Sequence, residues 1–197
     1  MAPPACAVCA APCPSSVVLC ATCERALARG AGRRLRVGGV DSAWAARPYE
    51  GVARDLVAAV KFRRLVPAAR RAAALIAGEA PAGQLEGTLV PVAADPLRAA
   101  WRGFDPAECL AGELARACGL PLAGCLARGH HRRQVGRSRR ERLASPPRLR
   151  AAGAVPASAV LVDDVSTTGA TLAAAAAALR EAGCRRVRAV VLASAPA

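Results

Sequence analysis

Ala159-Val-Leu-Val162 is an unbroken apolar run of strand length. It is followed by Asp163-Asp164, by the hydroxyl-rich stretch Ser166-Thr-Thr-Gly-Ala-Thr171, by an alanine-rich helical pattern from Ala170 to Ala182, and by a final strand, Arg186-Val-Arg-Ala-Val-Val-Leu192. Strand, turn, helix and strand in this order make a βαβ crossover, which forces its two strands parallel. Runs apolar on successive residues need cover on both faces of the sheet. The chain is 54% hydrophobic but only 3% aromatic, so the core must be built from Ala, Val and Leu. These features predict an α/β fold with helices on both faces of a parallel sheet and disfavour a β-sandwich. They also place Asp163 to Thr171 at the carboxyl end of a parallel strand, where open α/β sheets bind their ligands.

The residue types in that turn suit a sugar phosphate. A 5′-phosphate needs converging donors, which the backbone N–H groups at a helix N-terminus supply, with hydroxyls of Ser166, Thr167, Thr168 and Thr171 nearby. Gly169 lets the backbone come close to a ligand. Asp163 and Asp164 carry the wrong sign for a phosphate and instead suit ribose hydroxyls or a Mg²⁺-bound water. Taken singly, Thr168 reads as a helix cap and the aspartates as solvated residues at a strand end. Their combination, in this order and after a buried strand, favours phosphoribosyl binding. The stretch is not a P-loop, because no Gly-Lys-Ser/Thr follows an upstream glycine.

The first cysteines form a second pattern. Cys6-Ala-Val-Cys9 and Cys20-Ala-Thr-Cys23 are two C-x-x-C knuckles separated by ten residues. Such spacing presents four thiolates to one tetrahedral ion, with zinc the natural occupant. Cys13 could replace one ligand. Residues 1 to 23 have no charged side chain and little apolar bulk, so ligation would supply their folding free energy. Four thiolates leave no position open, which makes the metal structural rather than catalytic. Cys109, Cys118, Cys125 and Cys184 read as ordinary buried thiols.

With 197 residues the chain suits one principal domain and a small appendage, and we divide it at 1–39, a zinc module and linker, and 40–197. Arg25 to Gly39 reads as a linker or a short helix and turn. Asp41 to Tyr49 reads as an edge strand, Val52 to Lys61 and Pro67 to Ala77 as helices, and Gly87 to Val92 as a strand. Asp105-Pro-Ala-Glu108 has the chemistry of a helix start, and Gly119 that of its end. Lys61 stands out only as the one lysine. No apolar run reaches the about 20 residues needed to span a bilayer, and no basic flank precedes an apolar stretch at the N-terminus, so a cytoplasmic protein is expected.

The formal charge is +14, and the stretch from Arg128 to Arg150 alone holds nine arginines and one glutamate. It lacks an apolar period and ends at Pro146-Pro147, and it reads as a long functional loop. Its anion-seeking surface would accept either a small phosphorylated ligand or a nucleic-acid backbone. His130 and His131 read as solvent-facing.

Val160 to Leu172 resembles the 5-phosphoribosyl-1-pyrophosphate (PRPP) motif of type I phosphoribosyltransferases. The cysteine knuckles, Tyr49-Glu-Gly51, Val60-Lys-Phe62, Val90-Pro-Val92, Arg102-Gly-Phe-Asp105 with Leu110-Ala111, and Gln134 with Ser138 and Arg142 narrow the resemblance to the competence-associated ComF family. The resemblance implies that Asp163 and Asp164 contact the ribose, and that Ser166, Thr167, Thr168, Gly169, Ala170 and Thr171 surround the 5′-phosphate. It places Arg98 and Arg102 near the pyrophosphate, with Arg102 joining the two aspartates as catalytic, and makes Arg132 to Arg142, Arg137 included, a covering loop. Mg²⁺ would accompany PRPP. A link to DNA uptake is implied as well, and with it an alternative, non-catalytic role as an adaptor that engages single-stranded DNA or an uptake helicase.

Overall fold

The computed structural model describes residues 4–63, 66–94, 103–128 and 149–195. A five-stranded sheet runs in the order β1 (Arg33–Leu35), β2 (Ser42–Pro48), β7 (Arg186–Ser194), β6 (Ser158–Ser166) and β3 (Thr88–Pro91). β2, β7, β6 and β3 are parallel, and only β1 at the edge is antiparallel. The helices are α1 (Ala21–Ala28), α2 (Gly51–Arg63), α3 (Val66–Glu79), α4 (Pro106–Cys118) and α5 (Ala170–Glu181). A short antiparallel ribbon pairs β4 (Leu126–Arg128) with β5 (Leu149–Ala151).

Strand alternation splits the interior into two cores. Val160, Val162, Val190 and Leu192 point to the face packed by Leu56 and Val57 of α2, Ile76 of α3, and Leu110 and Leu114 of α4. Ala159, Leu161, Val187 and Val191 point to the opposite face, against Leu172, Ala175 and Leu179 of α5 and Leu126 of the ribbon. Side chains with period two, covered on both sides, are what the continuous apolar runs require. Ala175, Ala176 and Ala178 bring α5 close to the sheet, which is how a core with few aromatics fills its volume. The α/β architecture expected from the sequence is therefore present.

The start of α4 follows the reading of its sequence. The Asp105 carboxylate accepts hydrogen bonds from the amides of Ala107 and Glu108, Pro106 opens the helix, and Gly119 ends it with φ of 66°. Two expectations upstream need correction. β2 is not an edge strand: it lies between β1 and β7, with Ala43 to Arg47 buried. The stretch read as a linker or a short helix and turn does hold the end of a helix, α1, but it also holds all of β1, which was not expected. An arginine-rich strand of three residues is too short to show a period, which is why it escaped notice.

The N-terminal segment shares the main core. Cys6, Leu19, Cys23 and Leu27 belong to the same apolar cluster as Leu56, Ala72 and Ile76. Arg71 of α3 forms a two-point ion pair with Glu24 of α1, at 2.8 and 2.7 Å. Arg47, buried on β2, donates to Leu27 O at 2.6 Å and holds Glu79 at 2.5 and 2.6 Å. This fork joins the end of α1, the sheet and α3, and the Arg47 hydrogen bond lowers the pKa of Glu79. No described helix is long and apolar enough to cross a membrane.

Candidate functional site

β3 pairs with β6 only as far as Val162, whereas β7 follows β6 on to Ser166. Past Val162, one side of β6 therefore has no strand partner among the described residues. A gap at the carboxyl end of a parallel sheet is where a ligand can reach the backbone. Asp163 and Asp164 stand in that gap, and the chain then bends through Thr167-Thr168-Gly169 into α5.

The bend surrounds a small hollow lined by Asp163 and by the run from Val165 to Leu172. The amides of Thr167, Thr168, Gly169, Thr171 and Leu172 donate to no other described residue, and that of Ala170 meets Thr168 Oγ1 at a long 3.3 Å. Helix starts leave such N–H groups unspent, and together with the α5 dipole they attract an anion. Ser166 is buried, while Thr167 and Thr168 are exposed. The N-cap of α5 is Gly169 and not Thr168, no side chain caps the helix, and the one long contact from Ala170 to Thr168 leaves most of the donors free. Gly169 has φ of +75°, which favours glycine, and a Cβ there would lie a tight 3.2 Å from Val37 Cγ2.

The acidic pair differs in character from the turn. The amide of Asp164 donates to Asp163 Oδ1 at 2.8 Å. Burial, and then the neighbouring Asp164 charge, raise the pKa of Asp163 well above the usual carboxylate value. The Asp164 carboxylate is buried, and its Oδ2 accepts no hydrogen bond from a described residue. That oxygen does have a charged neighbour, Lys61 Nζ of α2 at 2.8 Å, in an ion contact without hydrogen-bond direction. Two adjacent carboxylates towards the carboxyl end of a strand suit a hydroxyl or a hydrated cation once Lys61 turns aside, so both the ribose and the Mg²⁺ readings fit these groups.

Lys61 is the residue whose place sequence reasoning undervalued. The signal was its identity: among 28 lysines and arginines it is the only lysine. Arg98, Arg102, Arg132 and Arg137 lie outside the described residues, as do His130, His131, Gln134, Ser138 and Arg142. Arg128, at the start of the arginine-rich stretch, is described and donates to Ala93 O at 2.9 Å, which ties the ribbon to the segment after β3. A larger hollow of about 500 Å³ lies along α4, lined by Val60, Phe104, Glu113 and Leu122 among others. It holds no residue of the acidic pair or the turn. Glu113 there is already spent on Arg70 and Arg116.

At the N-terminus, Cys6, Cys9, Cys20 and Cys23 bring their Sγ atoms within 4.8 Å of one another, and Cys13 is not part of the group. A tetrahedron with zinc–sulfur bonds of about 2.3 Å has edges of about 3.8 Å. Cys9 and Cys20 Sγ are 3.7 Å apart. The amide of Cys20 donates to Cys6 Sγ at 3.3 Å. Burial acts to raise the pKa of Cys6, but backbone hydrogen bonds from Cys9, Cys20 and Val8 prevail and lower it to about 6. Burial and the adjoining thiols push Cys23 the other way. So crowded a set of sulfurs loses its protons together only around a cation. The four cysteines are positioned to bind a metal.

No curated protein is matched by this chain. Residues 105–197, which include the acidic pair, the hydroxyl-rich turn and α5, match the family model of the phosphoribosyl transferase domain.

Proposed function

We propose that the chain binds PRPP or a related 5-phosphoribosyl ligand at the carboxyl end of β6, with Mg²⁺. The observation that carries this reading is the set of unspent amides of Thr167, Thr168, Gly169, Thr171 and Leu172, in a bend around a hollow that Asp163 also lines, with the buried Asp164 next to it in sequence. The turn would hold the 5′-phosphate, with Ser166, Thr167, Thr168 and Thr171 adding hydroxyl donors. Asp163 and Asp164 would accept from the ribose 2′- and 3′-hydroxyls, directly or through water on the metal. Bound there with the ligand, Mg²⁺ would neutralise the charge of a departing pyrophosphate. Carboxylates beside the ribose also favour the positive charge that develops at C1 as its bond to oxygen breaks. Transfer to a nucleophile is therefore within the chemistry of the site, and the acceptor is left open.

The N-terminal cluster is read as structural zinc held by Cys6, Cys9, Cys20 and Cys23. The resemblance of the sequence to ComF proteins supports a role linked to DNA uptake and a cytoplasmic location. Isothermal calorimetry with PRPP tests the reading. A magnesium-dependent heat of binding, reduced by competing ribose 5-phosphate, is expected; no heat with PRPP in either condition would overturn it.

A further inference from the structure

We propose that Lys61 is the resident cation of the acidic pair, compensating Asp164 while the site is empty and keeping a divalent ion out until a sugar phosphate brings one in. The inference deepens the phosphoribosyl reading and rests on it for the identity of the ligand. Three observations carry it. Lys61 Nζ stands 2.8 Å from Asp164 Oδ2, the buried oxygen that accepts no hydrogen bond from the described residues. The Asp164 amide donates to Asp163 Oδ1, so one acidic side chain is fixed against the backbone of the next, and two adjacent carboxylates at this end of β6 call for a counter-charge. Finally, the residue is lysine in a chain that otherwise uses arginine for every basic position.

The choice of lysine has a physical consequence. A guanidinium would grip a carboxylate at two points and stay there, whereas an ammonium is a compact point charge on a flexible stem. The Lys61 side chain is 25% exposed against 7% for Asp164, so it has room to swing away while the carboxylate stays fixed. A divalent ion approaching Asp164 alone meets an ammonium of the same sign already seated there. An ion arriving with a phosphorylated sugar brings negative charge with it, and the ammonium can then turn towards the phosphates. Lys61 thus acts through Asp164 as a positioning residue, and it makes metal entry depend on the ligand.

The test is Mn²⁺ binding to the full, zinc-loaded chain without any sugar phosphate, followed by the electron paramagnetic resonance of free Mn²⁺. Lys61→Met is expected to bind Mn²⁺ at least tenfold more tightly than the parent, and Lys61→Arg to stay at the parent's level. The double variant Lys61→Met with Asp164→Asn should lose the gain, which a merely structural role for Lys61 would not produce. Lys61→Gln serves as a second neutral variant should Lys61→Met fail to fold. Mn²⁺ binding to a folded neutral variant no tighter than to the parent would overturn the proposal. A parent chain that binds no ribose 5-phosphate would instead overturn the phosphoribosyl reading, and the comparison of variants with Mn²⁺ alone would still decide the role of Lys61.

Discussion

Stripping the metal from the N-terminal cysteines, or replacing Cys23 by alanine, is expected to destabilise the whole chain rather than its first residues only. Structural zinc contributes on the order of 10 kcal/mol of apparent binding free energy in isolated fingers. Here the ligand-bearing segment is not isolated: Cys6 and Cys23 are buried in the cluster that also holds Leu56 and Ile76, and Glu24 pairs with Arg71. Without the ion, four thiols crowd together, two of them, Cys6 and Cys23, buried, and Leu19 and Leu27 lose the frame that presses them onto α2 and α3. A loss of even 3–5 kcal/mol lowers the melting midpoint by on the order of 10 °C at this chain length. Calorimetric melting of chelated and zinc-loaded protein should show one transition that moves as a unit. Two transitions, with the larger one unmoved by chelation, would mean that the module stands apart from the domain.

A change at the acidic pair should separate stability from binding. Asp163→Asn is expected to weaken binding of ribose 5-phosphate by about a hundredfold or more, since hydrogen bonds to a charged acceptor contribute about 1.5–3 kcal/mol each. The same change should raise the melting midpoint in magnesium-free buffer. The folded-state pKa of Asp163 lies above its ordinary value because of burial and the Asp164 charge. A carboxylate raised in this way favours the fold while protonated, and that advantage is lost as pH rises from the ordinary carboxylate value through the folded one. Above the ordinary carboxylate pKa the group therefore costs stability, whether it stays ionised in the fold or takes up a proton on folding, and asparagine removes that cost. The gain over the parent should be absent in acid and grow as pH rises. Stability spent on a binding group is the usual trade at a functional site. A variant that melts lower than the parent and still binds ribose 5-phosphate normally would contradict both halves of the argument.

The parts of this molecule that could be read from its sequence are those where local chemistry and tertiary demand agree. The run from Ala159 to Val162 is apolar on every residue because both faces of β6 are covered, and the cap at Asp105 is written in four consecutive residues. The bend into α5 was legible as a turn for the same reason: hydroxyls, glycine and helix start are contiguous. β1 was not, because Arg33-Arg-Leu35 becomes a strand only when β2 offers its edge and Arg33 finds Ser194 Oγ at 2.8 Å. The meeting of Lys61 with Asp164 was hidden likewise, since more than a hundred residues separate them and no local pattern records their approach. Nor could the spacing of the cysteines exclude Cys13 from the cluster, a matter settled by how the two knuckles fold together.

The central claim is that the amides from Thr167 to Leu172 bind the 5′-phosphate. Backbone amide shifts of labelled protein titrated with ribose 5-phosphate and Mg²⁺ test it most directly. The account predicts saturable downfield shifts centred on Thr167, Thr168, Gly169, Thr171 and Leu172, with smaller changes at Asp163 and Asp164. Shifts confined to other parts of the chain, or none at saturating ligand, would contradict it.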